Sequence, residues 1–170
     1  MIEQRLPDPE AQVAFGARLA ALLPPRLIVY LEGDLGTGKT TLTRGVLAGL
    51  GHRGAVRSPT YTLLEPYEIG ERRLYHLDLY RLGDPQELEY LGLRDLLAED
   101  AVWMVEWPER GLGMLPPPDL VIAIAYVPNG RHLSLSARTV SGESVLEALT
   151  GLGSADSALF ASPEKSDVIR

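Results

Sequence analysis

Gly33-Asp34-Leu35-Gly36-Thr37-Gly38-Lys39-Thr40 sets three glycines, a lysine and a threonine at the spacing G-x-x-x-x-G-K-T. Those residue types in that order suit the polyphosphate of a nucleotide. The glycines let the backbone curl until successive N–H groups can approach phosphate oxygens closely. A helix opening directly after the loop adds its positive end. Lys39 is spaced to reach the outer phosphates, and the Thr40 hydroxyl is a magnesium ligand of the right hardness. The candidate nucleotide-binding residues are therefore Asp34, Leu35, Gly36, Thr37, Gly38, Lys39, Thr40 and Thr41.

Such a loop also needs a carboxylate for the magnesium shell, placed at the end of a neighbouring buried strand. Glu106 closes the apolar run AVWMV, and Asp78 closes RRLYHLD, so both qualify. Ser58-Pro59-Thr60 follows the loop by about twenty residues, where switch nucleotidases bring a segment onto the γ-phosphate. Thr60 can serve in that way, and a plain Ser-Pro turn accounts for the local sequence equally well. Trp107 follows the Glu106 carboxylate and is a candidate nucleotide neighbour, whereas Trp103 reads as core. Arg81 is either a stabiliser of transition-state charge or the partner of an acid such as Asp84. His52, His76 and His132 do not cluster, and read as ordinary surface or strand positions.

The elements that must hold these groups can be read from period and punctuation. Residues 9–23 read as a short helix, with Asp8 as N-cap and Pro9 at its first position. Leu27–Leu31 is continuously apolar, as a strand covered on both faces is. Lys39–Leu50 reads as a helix stopped by Gly51. Thr62–Ile69 and Arg72–Tyr80 flank Gly70-Glu71 as a hairpin, and Pro66 places the first of them at an edge. Asp84-Pro85-Gln86-Glu87 predicts a helix running to about Glu99. Ala101–Val105 is a second buried strand. Residues 119–127 and 131–140 form a hairpin around Pro128-Asn129-Gly130, and a short helix follows near Glu143–Leu149. The expected fold class is α/β and P-loop NTPase-like: a mostly parallel sheet with helices on both faces, extended by antiparallel hairpins. Residues 1–150 are expected to form a single P-loop ATPase domain. Residues 151–170, rich in Gly, Ser, Ala and Asp, read as a disordered tail.

Composition narrows the function. With 170 residues, 45% hydrophobic and 23% charged, the chain has the make-up of a globular protein with a full core. It contains no cysteine, which removes thiol chemistry and fits a reducing cytoplasm. The start, MIEQRLPDPEAQ, has no signal-peptide pattern, and the longest apolar run, Leu120–Val127, is too short for a bilayer. A net charge of −7 without a basic block argues against strong non-specific nucleic-acid binding by this chain alone. Only Lys39 and Lys165 are lysines. Guanine reading by N-K-x-D has no basis, since Asn129 is the only asparagine. No arginine-rich lid lies between Arg81 and Glu106. What is left is a nucleotide module acting on a partner, with a kinase and a non-catalytic nucleotide-dependent scaffold as the alternatives.

Beyond the phosphate loop, the segments VRSPTYTLLEPY, LYHLDLYRLGDPQELEYLGLRD, VEWPERG and LPPPDL occur in an order that resembles the TsaE (YjeE) family of bacterial tRNA-modification ATPases. The resemblance spans nearly all of residues 5–150 and leaves the tail without a counterpart. It implies a compact P-loop domain that binds ATP and Mg2+ and hydrolyses ATP weakly alone, as a monomer. It implies work with a TsaD–TsaB pair that forms threonylcarbamoyladenosine in tRNA, the tRNA being held through those partners. The ATP cycle would reset that complex, the carbamoyl group being transferred elsewhere. Residue by residue, it implies Lys39 and Thr40 for phosphate and magnesium, Glu106 as second magnesium contact, and Asp78 and Thr60 on the γ-phosphate side. Trp107 and Arg131 match positions near the nucleotide.

Overall fold

The computed structural model describes residues 1–159. Its strands are β1 (Ile2–Leu6), β2 (Leu27–Glu32), β3 (Leu64–Ile69), β4 (Arg72–Asp78), β5 (Val102–Glu106), β6 (Leu120–Val127) and β7 (Gly130–Ala137). Its helices are α1 (Pro9–Ala20), α2 (Lys39–Leu50), α3 (Glu87–Tyr90), α4 (Leu93–Leu97) and α5 (Val140–Leu159). The strands form one sheet in the order β1-β7-β6-β2-β5-β4-β3. Its centre, β6-β2-β5-β4, is parallel. The flanking pairs are antiparallel hairpins or edge additions. This is the α/β architecture expected.

Alternation along the strands divides the interior into two layers. On one face, Leu27, Val29 and Leu31 of β2 meet Phe15 and Leu19 of α1, Leu42 and Val46 of α2, and Val145 and Leu149 of α5. On the other, Tyr75, Leu77 and Trp103 meet Leu88 and Leu93 from α3 and α4. Trp103 is core, with its ring centroid 4.5 Å from that of Tyr75. Each fully buried leucine here contributes about 1.5–3 kcal/mol of transfer free energy.

The local signals act as read. Asp8 accepts the Ala11 N–H at 2.8 Å at the start of α1, and Gly51 ends α2 in the left-handed region at φ 101°. Pro66 lies on β3 at the sheet edge, between Glu65 and Glu68. Three expectations change. The helix predicted over residues 84–99 is two short helices, although Asp84 and Glu87 do exchange hydrogen bonds with the local backbone at its start. Gly92, at φ 71°, breaks it. In one continuous helix Leu88 and Leu93 would point about 140° apart; the break lets both reach the same core. β1 was not foreseen, because IEQRL is short and alternates polar residues. Finally, α5 continues through residues 151–159, which had been read as tail; residues 160–170 lie outside the described residues.

Helices α1 and α2 touch backbone to backbone. A Cβ on Gly16 would lie 2.6 Å from Leu42 O, and one on Gly45 would lie 2.9 Å from Val13 Cα. Alanine is the better helix former by about 1 kcal/mol, yet here it would force the helices apart. We expect Gly45→Ala to destabilise by about 1–3 kcal/mol, the usual cost of overpacking, read as a lowered Tm in thermal unfolding. A gain in Tm would show that the crossing tolerates a methyl group.

Candidate phosphate-binding site

The polar groups gather where the parallel strands end. β2 runs into the glycine loop, β4 ends at Asp78, and β5 ends at Glu106. Sheet register pairs Asp78 with Glu106, and Glu106 with Leu31 just before the loop. Ligand crevices in open parallel sheets form at these carboxyl ends.

The loop is held in a conformation only glycine takes easily. Gly33, Gly36 and Gly38 have φ of 147°, 81° and 104°. A Cβ on Gly38 would also collide with the Gln12 amide. The loop's carbonyls are occupied by side chains from well-separated parts of the chain. Thr37 O accepts from Gln12 Nε2 at 3.0 Å and from Arg131 Nε at 3.1 Å. Leu35 O accepts the Tyr126 hydroxyl at 2.9 Å, and the Arg131 guanidinium lies 4.3 Å from the Tyr126 ring centroid. The buried Thr37 hydroxyl donates to Asp34 O at 2.9 Å. Gln12 and Tyr126 were not singled out from sequence. Nothing in their local pattern marks contacts made so far along the chain.

Lys39 is buried and donates to Gly33 O at 2.5 Å and Asp34 O at 3.0 Å. Its Nζ lies 4.3 Å from the centroid of the Trp107 ring, a cation–π contact. Burial lowers its pKa, opposed by the carboxylates of Glu106, Asp78, Glu109 and Asp34. Trp107 sits in the left-handed region at φ 56°, which is unusual for a bulky residue. That backbone turn follows Glu106 directly and carries the ring back over Lys39, 5.1 Å from the Tyr80 ring.

Thr40 Oγ1 donates to Glu106 Oε2 at 3.0 Å. The same carboxylate oxygen lies 2.5 Å from Nε2 of His76, a fully buried residue. The sequence pattern makes His76 an ordinary surface or strand position, and its place against Glu106 corrects that. The signal was available in its spacing, two residues before Asp78 on one strand face. Asp78 accepts the Tyr80 N–H at 3.0 Å. Its pKa is raised chiefly by burial, partly offset by that N–H, with Glu106 adding to the rise.

These groups line one cleft of about 370 Å³, formed by Leu35, Gly36, Gly38, Lys39, Thr40, Thr41, Ser58, Thr60, Asp78, Tyr80, Arg81, Glu106 and Trp107. Thr60 thus reaches the cleft, its hydroxyl 2.7 Å from that of Ser58. Arg81 also lines it, 4.4 Å from the Tyr61 ring centroid, and makes no salt bridge with Asp84 or another acid among the described residues. Asp34, Thr37 and Arg131 stand outside the lining, where Thr37 and Arg131 brace the loop. The cleft combines a buried cation, a glycine loop and a hydroxyl–carboxylate pair. Together these can hold a polyanion and a hard divalent cation.

Asp78 gives this arrangement a measurable cost. The folded state binds its proton more tightly than the unfolded chain, so ionisation opposes folding. That penalty is absent below the ordinary carboxylate pKa of about 3.9. It grows as pH rises through that value and levels off above the raised one. Asp78→Asn, which keeps an acceptor for the Tyr80 N–H, is expected to melt higher than the parent at pH 7, by about 2–4 °C per kcal/mol of penalty removed. The gain should vanish in melts below about pH 4.

The family described as "Threonylcarbamoyl adenosine biosynthesis protein TsaE" matches residues 6–133. A Haemophilus influenzae relative, named tRNA threonylcarbamoyladenosine biosynthesis protein TsaE, is 45% identical over 154 residues, spanning 88% of this chain and 98% of its own. A Bacillus subtilis relative of the same name is 41% identical over 123 residues, 72% of this chain and 77% of its own. Among solved structures, that of Bacillus subtilis YdiB superposes with a TM-score of 0.77 at 32% identity, covering 89% of this chain and 95% of that one. With the family model matched over residues 6–133 and relatives this similar over most of their length, the chain belongs to the TsaE family.

Proposed function

We propose that this protein is the ATP-binding and ATP-hydrolysing subunit of the machinery that makes threonylcarbamoyladenosine in tRNA. In this reading it cycles a TsaD–TsaB complex and does not itself transfer the carbamoyl group. The observation that carries the proposal is the convergence of a complete phosphate loop, Asp78 and Glu106 in one cleft. The pathway follows from family membership, since the relatives are named for it. The cleft, at about 370 Å³, lies at the small end of ligand pockets and leaves little room for a second substrate beside a nucleoside triphosphate.

The loop N–H groups of residues 35–40 and the start of α2 would cradle the phosphates. Lys39 would exchange its carbonyl partners for β- and γ-oxygens and so neutralise charge there. Thr40 and Glu106 fit a magnesium ion, because Thr40 gives its proton to the carboxylate and keeps its lone pairs for a cation. Magnesium, when bound, would neutralise charge on the β- and γ-phosphates. No group of three or more His, Cys, Asp or Glu side chains among the described residues could hold a metal, so phosphate oxygens and water would complete its shell. Asp78 would orient the attacking water and accept its proton as the γ-phosphorus bond to the bridging oxygen breaks. A raised pKa makes it a better base at neutral pH. Thr60 would border the γ-phosphate side and Thr41 the bound nucleotide, both lining the cleft, while Trp107 packs beside Lys39 and Arg131 braces the loop.

The net charge of −7 favours tRNA being held by the partners. No helix among the described residues is long and apolar enough to cross a membrane, and a cytoplasmic protein, monomeric when alone, completes the proposal. A transition-state charge supplied in trans is worth about 10³–10⁵ in rate, so slow hydrolysis alone is part of the reading.

Phosphate release from Mg-ATP tests it, measured for the protein alone and with cognate TsaD–TsaB. Release is expected to be slow alone, to rise at least about tenfold with the pair, and to vanish in Lys39→Ala. Asp78→Asn should lose hydrolysis while still binding ATP. Lack of stimulation by partners that demonstrably bind, or a phosphorylated acceptor in place of free phosphate, would overturn the proposal.

A further inference from the structure

His76 is completely buried, and its two ring nitrogens have very different surroundings. Nε2 lies 2.5 Å from Glu106 Oε2, the oxygen that also accepts the Thr40 hydroxyl at 3.0 Å. Nδ1 has no hydrogen-bond partner. Alternation along β4 puts His76 on the same face as Asp78, under α2 and beside the end of β5.

Packing alone gives no reason for an imidazole here. A leucine or phenylalanine would fill the volume and leave no interior nitrogen unpaired, an arrangement that costs stability. What the imidazole provides is one donor aimed at one oxygen. The carboxylate acceptor fixes a proton on Nε2. With two donors on Oε2, the Glu106 carboxylate cannot swing, and Oε1 is left with no protein hydrogen bond among the described residues. Oε1 is not fully buried and unpartnered, as Nδ1 is, and Glu106 lines the cleft.

We propose that His76 is a positioning residue for Glu106: its Nε2–H and the Thr40 hydroxyl together lock Oε2, so that Oε1 is presented to a divalent cation in the cleft. The inference rests on the nucleotide reading above, in which Glu106 is a magnesium contact. Groups that orient a metal's carboxylate ligand commonly change metal affinity or activity by about 10–100-fold when removed.

Three substitutions separate positioning from packing. His76→Gln keeps an amide N–H near the place of Nε2, His76→Asn moves it to the place of Nδ1, and His76→Leu removes it. The first readout needs no ligand. In the 15N spectrum of the ligand-free protein, His76 Nε2 should appear protonated, with its signal moved in Glu106→Gln. The second is the magnesium concentration giving half-maximal ATP binding. It should rise about tenfold or more in His76→Leu and His76→Asn and stay within about threefold of the parent in His76→Gln. Should His76→Leu fail to fold, the Gln–Asn pair decides. Equal magnesium dependence in Gln and Asn, or an Nε2 that carries no proton, would overturn the inference while leaving ATP binding standing. A parent protein without magnesium-dependent ATP binding would instead remove the nucleotide reading, and this inference with it.

Discussion

A loop that keeps its N–H groups available for an anion must have its carbonyls bound by something else. That constraint organises this molecule. Leu35 O, Thr37 O, Gly33 O and Asp34 O all accept side-chain donors, from Tyr126, from Gln12 and Arg131 together, and from Lys39. The donors come from β6, α1, β7 and α2, so the loop is shaped by elements on both sides of it. The glycine crossing of α1 over α2 is what brings Gln12 within reach of Thr37. A contact that looks purely structural thereby sets the position of a phosphate-sized cradle.

Charge is handled by the same economy. Lys39, Asp78 and Glu106 are all taken largely out of water at one end of the sheet. None could be ionised there alone without a heavy desolvation penalty. Opposite charges offset part of that cost: the acids raise the Lys39 pKa that burial lowers, and Lys39 lowers the Asp78 pKa that burial and Glu106 raise. Register pairing of Asp78 with Glu106 on adjacent parallel strands makes the cluster a property of the sheet, not of mobile loops. That is the rigidity a site needs to stabilise developing charge.

The parts of this architecture governed by neighbours in sequence were legible before any coordinates. The loop, its helix, the Gly51 stop and the strand-end positions of Asp78 and Glu106 all follow from spacing and punctuation. The misreadings share a different cause. Gly92 breaks a helix because Leu88 and Leu93 must share one core, a demand that only the tertiary packing imposes. β1 is an edge strand with one face to bury, so its apolar signal is weak. Gln12 and Tyr126 act on the loop from far along the chain, and His76 declares itself only when β4 and β5 lie side by side. Spacing names the acidic residues, whereas the hydrogen bonds that hold them are made between elements far apart in the chain.

The sheet's two borders carry a consequence of their own. At one, β3 includes Pro66, which has no N–H to offer, with Glu65 and Glu68 beside it. At the other, β1 is five residues long and bears Glu3 and Arg5. Neither border is a template onto which another chain's strand can grow. Both borders of the sheet are thus blunted against edge-to-edge growth, one by an imino acid and the other by its brevity and its charges.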